Sequence, residues 1–195
     1  MTRKDLIENF EMLDPDSMKA LTKQKKPHLL YADINSRINP YNGDMEWKER
    51  LNSVPWSKVN IRDTFGPDMI TLHDRLLEIG GVETCFPTFE DDLDYILTYG
   101  QLWDNLTVNL RRGEPSQCHA NSARIWKKYQ DSLDHKYTIV TGYALSTDGL
   151  WRQHSWILQI KPRANVLIET TESRLAYYGV ALPYAIAEDF CDDNY

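Results

Sequence analysis

Three segments rich in β-branched and aromatic residues, YTIVTGYALS at 137–146, WRQHSWILQIK at 151–161 and NVLIETT at 165–171, succeed one another with only a TDG turn and the turn Pro162–Ala164 between them. That spacing constrains the fold more than any other feature of the chain. Strands joined by so few residues cannot be parallel, because a parallel crossover needs a dozen or more, so the three are expected to pair as antiparallel neighbours. Just upstream, SQCHANSARIWKKY at 116–129 places Cys118, Ser122, Ile125, Trp126 and Tyr129 on one helical stripe, with Ser116 as the N-cap. An amphipathic helix beside such a sheet buries its stripe against it. The expected fold is α+β, with a Cys-bearing helix packed on an antiparallel sheet.

The first half reads differently. DPDS at 14–17, NPYNGD at 39–44 and FGPD at 65–68 carry the Pro, Gly, Asn and Asp that set turns, and segments of helical period lie between them. In FEDDLDYILTYGQLW at 89–103, Phe89, Leu93, Ile96 and Leu97 recur at helical spacing. Its acidic residues fall in the first turn, where the helix dipole favours them, and read as a capped, solvated end. No repeat, low-complexity segment or long linker interrupts the chain. The 195 residues are therefore expected to form a single domain, 1–195, with a mainly helical part over 1–115 and the Cys-bearing helix with its strands over 116–195.

Hydrophobic residues make up 42% of the chain and charged residues 26%, the balance of a globular protein. A formal net charge of -7 argues against a nonspecific grip on nucleic acid, since phosphate binding needs a positive surface, and the lysines at 23, 25 and 26 read as a solvated loop. The stretch MTRKDLIENFEM is charged throughout, and no apolar run approaches the roughly 18 residues of a membrane span. A cytoplasmic protein without nucleic-acid or membrane partners is expected. Cys85, Cys118 and Cys191 are odd in number and far apart, which fits neither a disulfide framework nor a zinc site of paired cysteines. No cofactor or metal is implied, and nothing in the sequence points to an oligomeric state.

Side chains alternate across a strand, so His154 shares a face with Trp156, Leu158 and Ile160, and Glu169 shares one with Leu167 and Thr171. In a register that sets even positions of one strand opposite odd positions of the next, His154 and Glu169 point to the same side, directly opposite or one diagonal step apart. A slip of one residue would undo this. The Cys118 helix, packing on that sheet, brings thiol towards imidazole. A free thiol is only roughly 3% ionised at neutral pH, and both the helix dipole and an imidazole that takes the proton raise that fraction. Glu169 would hold the ring's tautomer, and the N–H of Cys118, unpaired in the first turn, would face a developing oxyanion. His119 adjoins Cys118 in sequence, but helix neighbours point about 100° apart, so it aims away from the sulfur. A metal site built from Cys118, His119 and His154 lacks the usual ligand spacing.

Cys118 on its helix, the strand containing Val140, Gly142 and Tyr143, then His154-Ser155-Trp156 and Ile168-Glu169-Thr170-Thr171 together resemble the core of the transglutaminase-like branch of the papain-like thiol enzymes. That branch orders its residues Cys, His, Asp, commonly with His-x-Trp and Asp-x-Thr motifs. The likeness spans residues 118–171. His154 follows Cys118 by 36 residues and Glu169 follows His154 by 15, spacings similar to those of transglutaminase-like and arylamine acyltransferase members. Glu169 departs from the usual Asp or Asn, so its strand is expected to sit slightly farther back to accommodate one more methylene. For the Gln or Trp that assists the oxyanion in these families, Gln101, Trp103 and Gln117 are the candidates.

The resemblance implies a papain-like or transglutaminase-like core and amide or thioester acyl transfer through a thioester intermediate, with a Cys118, His154, Glu169 triad and a protein, peptide or other amide as substrate. Amidase, deamidase, transglutaminase and peptidase activities all fall within that description. The alternatives are an arylamine-type acyltransferase and a non-catalytic partner-binding module with a degenerate thiol-enzyme fold. Trp156 reads as core or as a wall shielding the catalytic pair from water. Tyr177 and Tyr178 read as groove-lining or packing residues, Arg174 as a surface residue or a receiver of a substrate carboxylate, and Cys85 and Cys191 as structural or incidental.

Overall fold

The computed structural model describes residues 65–195 apart from 88, 89, 104, 105, 134, 135 and 163, together with residue 37. The turns expected at 14–17 and 39–44, the lysines at 23, 25 and 26, Phe89 and the helical segments before residue 65 lie outside the described residues. Those residues contain four helices and seven strands, in the order α1 (Pro67–Ile79), β1 (Glu83–Cys85), α2 (Leu93–Tyr99), β2 (Gln101–Leu102), β3 (Thr107–Leu110), α3 (Cys118–Tyr129), β4 (Lys136–Leu145), β5 (Leu150–Ile160), β6 (Val166–Glu169), β7 (Ala176–Ala181) and α4 (Tyr184–Asn194). The fold is α+β. Among the described residues no helix is long and apolar enough to cross a membrane.

The three expected strands are β4, β5 and β6, paired antiparallel. The sheet around them is mixed instead of antiparallel throughout. Its order is β2-β7-β4-β5-β6-β3, with β3 parallel to β6, and β1 parallel to the first residues of β5. Parallel pairing enters because β1 and β3 precede α3, whose helix supplies the long connection that a parallel neighbour requires. These two strands and β2 fall in the stretch expected to be mainly helical. At two to four residues each, they are too short for an alternating pattern to register.

Nor is the segment at 89–103 one helix. Gly100 ends α2 by donating its N–H to the Ile96 carbonyl at 2.8 Å, and the chain then turns extended into β2. The acidic run before α2 is not a solvated end either, since Glu90 and Asp92 are buried.

Both faces of the sheet are covered, and the alternation along each strand sorts the core in two. One face carries Ile139 and Tyr143 of β4, Trp151 and Ile157 of β5, Ile168 of β6 and Val180 of β7, packed with Leu72 of α1, Ile96 of α2, Trp126 of α3 and Phe190 of α4. The other carries Val140, Trp156, Leu158, Leu167 and Tyr177, with Trp103 among them. Each such large side chain contributes roughly 2 kcal/mol on burial, so a one-residue slip of any central strand would cost several of these at once. All four helices contribute to the first face, and His154 belongs to the second by parity. α3 buries its stripe through Ser122, Ala123 and Trp126. Its N-terminus departs from expectation: Gln117 is the cap residue, with no side-chain cap bond, and Ser116 stands in the left-handed region at φ 59°. Asn121 fixes the entry instead, donating from Nδ2 to the Glu114 carbonyl at 2.8 Å and accepting the Glu114 N–H on Oδ1 at 3.1 Å.

Candidate active site

The centre of interest lies where the sheet divides. Along one side of β5, β1 pairs with residues 150–152 and β6 with residues 157–159, while β4 runs along the whole of the other side. Among the described residues, 153–156 of β5 therefore have a partner strand on one side only. The N-terminus of α3 fills that opening. The backbone N–H groups of Ser155 on β5 and His119 on its own helix lower the Cys118 thiol, which sets the sulfur beside the open edge of β5. The body of α3 packs on one face while the His154 ring lies on the other, so thiol and ring meet around this edge.

His154 and Glu169 converge from adjacent strands. Because Ile157 pairs with Ile168, continuing the register sets Glu169 opposite Trp156, one diagonal step from His154. The longer glutamate spans that diagonal: its Oε2 lies 2.9 Å and its Oε1 3.2 Å from His154 Nε2. With Nε2 engaged, Nδ1 is the ring nitrogen left to exchange a proton with sulfur. Cys118 and His154 each shift the other's ionisation through a side-chain hydrogen bond and through charge.

The electrostatics follow from these contacts. Burial alone would push the Cys118 thiol up, but the hydrogen bond and charge of His154, with the two backbone N–H groups, outweigh it and hold the thiol below its ordinary value. Burial would likewise depress the 2%-exposed His154; its bonds to Cys118 and Glu169 and their charges raise it above the ordinary histidine value. Both shifts favour thiolate and imidazolium together. Glu169 is fully buried, a circumstance that raises a carboxyl, yet His154 and the N–H and hydroxyl of Thr171 hold it down to about 2.

Glu169 is the most heavily coordinated group in the site. Oε1 accepts the N–H of Thr170 and of Thr171 at 2.7 Å each and the Thr171 hydroxyl at 3.0 Å, while Oε2 accepts the Tyr177 hydroxyl at 3.0 Å. Tyr177 is one of the residues that sequence reading leaves undecided. Its strand, AYYGVA, is buried throughout, so the signal that sorts it to the Glu169 face is the register of β7 on β4. Trp156 is fully buried and stacks on His154, with ring centroids 6.1 Å apart and planes inclined by 22°.

The other sequence candidates separate cleanly. Gln117 is exposed and immediately precedes Cys118. Trp103 is buried and donates its indole N–H to the Gly179 carbonyl at 2.9 Å. Gln101 pairs with Gly179, which pairs with Gly142, which pairs with His154, so it stands three strands away from β5. His119 turns from the sulfur, with Nδ1 2.7 Å from the Ser155 hydroxyl and its ring edge-on to Phe190. Arg174 is taken up by Glu172 and the Ser146 hydroxyl, Tyr178 receives a hydrogen bond from Arg75, and the Cys191 thiol is buried against the Ala123 carbonyl. Cys85 is exposed.

On the helix-bearing side of β5 lies a cavity of about 370 Å³, lined among others by Glu90, Asp92, His119, Thr141, Gln153 and Asp193. Among the described residues no group of three or more His, Cys, Asp or Glu side chains is arranged to hold a metal ion. No family model, curated protein or solved structure matches this chain.

Proposed function

We propose that this protein is a cysteine-dependent amide hydrolase or acyltransferase with a transglutaminase-like core, acting in the cytosol on a protein or peptide amide through a thioester. The observation that carries the reading is the meeting of Cys118, His154 and Glu169 from α3, β5 and β6, with each ionisation biased towards a thiolate and imidazolium pair. In the first step the thiolate attacks the amide carbonyl carbon, a C–S bond forms, and the carbonyl oxygen takes the electron pair facing the N–H of Cys118, which has no acceptor within the helix. The imidazolium gives its Nδ1 proton to the nitrogen as the C–N bond breaks and the amine leaves. Neutral His154 then takes a proton from water or from an acceptor amine as that nucleophile attacks the thioester. The thiolate departs and the imidazolium is restored. Glu169, ionised throughout, keeps Nε2 engaged and Nδ1 directed at sulfur.

Iodoacetamide labelling against pH, read residue by residue by mass spectrometry, tests this. Cys118 is expected to label with a midpoint below the roughly 8.5 of a free thiol. In His154→Ala both lowering contributions of the ring vanish while burial still raises the thiol, so the midpoint moves upward. An activated acyl ester should leave a hydroxylamine-labile adduct on Cys118 alone. Slow, uniform labelling of all three cysteines would instead favour a partner-binding module.

A further inference from the structure

Among the described residues β3 is the edge strand of the sheet beside β6, and all four of its residues are exposed, including Val108 at 43% and Leu110 at 37%. Its pairing fixes which backbone groups are free. Arg111 N–H donates to the Glu169 carbonyl and Gly113 N–H to the Thr170 carbonyl, both at 2.8 Å, so the odd-numbered residues turn towards β6. By alternation, the N–H and C=O groups of Val108, Leu110 and Arg112 face away from the sheet. An edge of this kind is a template for another strand. Two exposed arginines, Arg111 and Arg112, follow it, and neither has an ion-pair partner among the described residues. With Arg124 on α3 and Glu114 as the nearest acid in sequence, the local balance is positive in a chain of net charge -7.

This edge is tied to the proposed site. Leu110 pairs with Glu169 itself, and the segment leaving β3 is clamped by Asn121 to the first turn of the Cys118 helix. β5 stands two strands in from β3, so a strand added outside β3 lies about 14 Å from it at the usual spacing, a gap that about four extended residues span. We propose that the outer edge of β3 binds an extended, acidic peptide segment as an added strand, holding a peptide substrate so that residues beyond the paired stretch reach Cys118. Carboxylates on one face of the added strand lie against Arg112, and its backbone pairs with Val108 and Leu110. The purpose of the surface rests on the thiol-enzyme reading; its occupancy does not.

The test uses the full chain carrying Cys118→Ser, so that binding is read apart from chemistry. Fluorescence anisotropy is measured with three fluorescein-labelled decapeptides: alternating valine and glutamate, alternating valine and lysine, and the glutamate peptide with proline at every valine. Only the first is expected to bind. Leu110→Pro removes an outward N–H without touching the β3–β6 ladder, and Arg112→Glu reverses the charge; each should weaken binding at least about tenfold. In the same two substitutions made with Cys118 intact, the labelling midpoint of Cys118 should not move. Binding that survives Leu110→Pro, equal binding of the lysine peptide, or no binding of any peptide overturns the proposal. So does a homodimer in sedimentation analysis that Leu110→Pro splits, since the edge then belongs to a second copy. If Leu110→Pro fails to fold, Arg112→Glu and the proline peptide decide. Strand binding that persists while Cys118 shows no enhanced reactivity removes the enzyme reading and leaves the docking edge in place.

Discussion

Glu169 sits one diagonal step from His154, and the length of its side chain is what closes that step. An aspartate on the same backbone would fall roughly 1.5 Å short, a misplacement of the size that costs about 100-fold in rate when catalytic groups act together. Glu169→Asp is therefore expected to slow acylation of Cys118 by 10- to 100-fold and to move its labelling midpoint upward, because an imidazolium held less firmly stabilises the thiolate less. Stopped-flow acylation with an activated ester measures the first, and an unchanged rate would dismiss Glu169 as the orienting group. The pH limbs of that reaction belong to the sulfur and the ring. A carboxylate held at about 2 stays charged across the whole range in which the protein would work.

At the level of elements, β4 and β7 approach each other through glycine. Gly142 has φ 155°, and a Cβ placed there would lie 2.3 Å from the Tyr178 carbonyl oxygen, within the central strand that also pairs with His154. Gly142→Ala is expected to destabilise the fold by about 2–4 kcal/mol and to loosen His154, which urea denaturation together with Cys118 labelling would register. A loss below about 0.5 kcal/mol would mean the strands part at little cost. The same elements show what sequence pattern can carry. β4, β5 and β6 are legible because long alternating runs with two short turns leave one pairing, and that pairing places His154 and Glu169 on a common face. The stripe of α3 is legible for the same reason of period. β1, β2 and β3 are too short to have a period. The opening in β5 that admits Cys118 exists only because β1 and β6 stop where they do, and no residue in β5 announces it. Tyr177 stays undecided between groove and packing in the sequence because a strand buried on both faces shows no polar alternation.

Across the whole molecule, two buried carboxylates on opposite sides of the sheet set opposing dependences on pH. Glu169 is held below its unfolded value of 4.5, so its contribution to stability is present above about pH 4.5 and is lost as pH falls towards 2. Glu90 behaves in reverse. Burial pushes its carboxyl up, against the hydrogen bonds from the Tyr143 hydroxyl at 2.6 Å and Gln153 Nε2 at 3.0 Å, and the charge of Asp92 adds to the rise. A carboxyl raised above 4.5 contributes stability below that pH and loses it as pH climbs through the folded value, so at pH 8 ionised Glu90 is a net cost. Glu90→Gln keeps an acceptor for Tyr143 and Gln153 while removing the charge beside Asp92. It is expected to raise the melting temperature at pH 8 by about 2–4 °C, in line with about 1 kcal/mol for a chain of this size, and to lose that advantage by pH 4. Circular-dichroism melts at the two pH values decide it: a lower melting temperature for Glu90→Gln at pH 8 would mean that the hydrogen bonds to the charged form outweigh the cost of burying it.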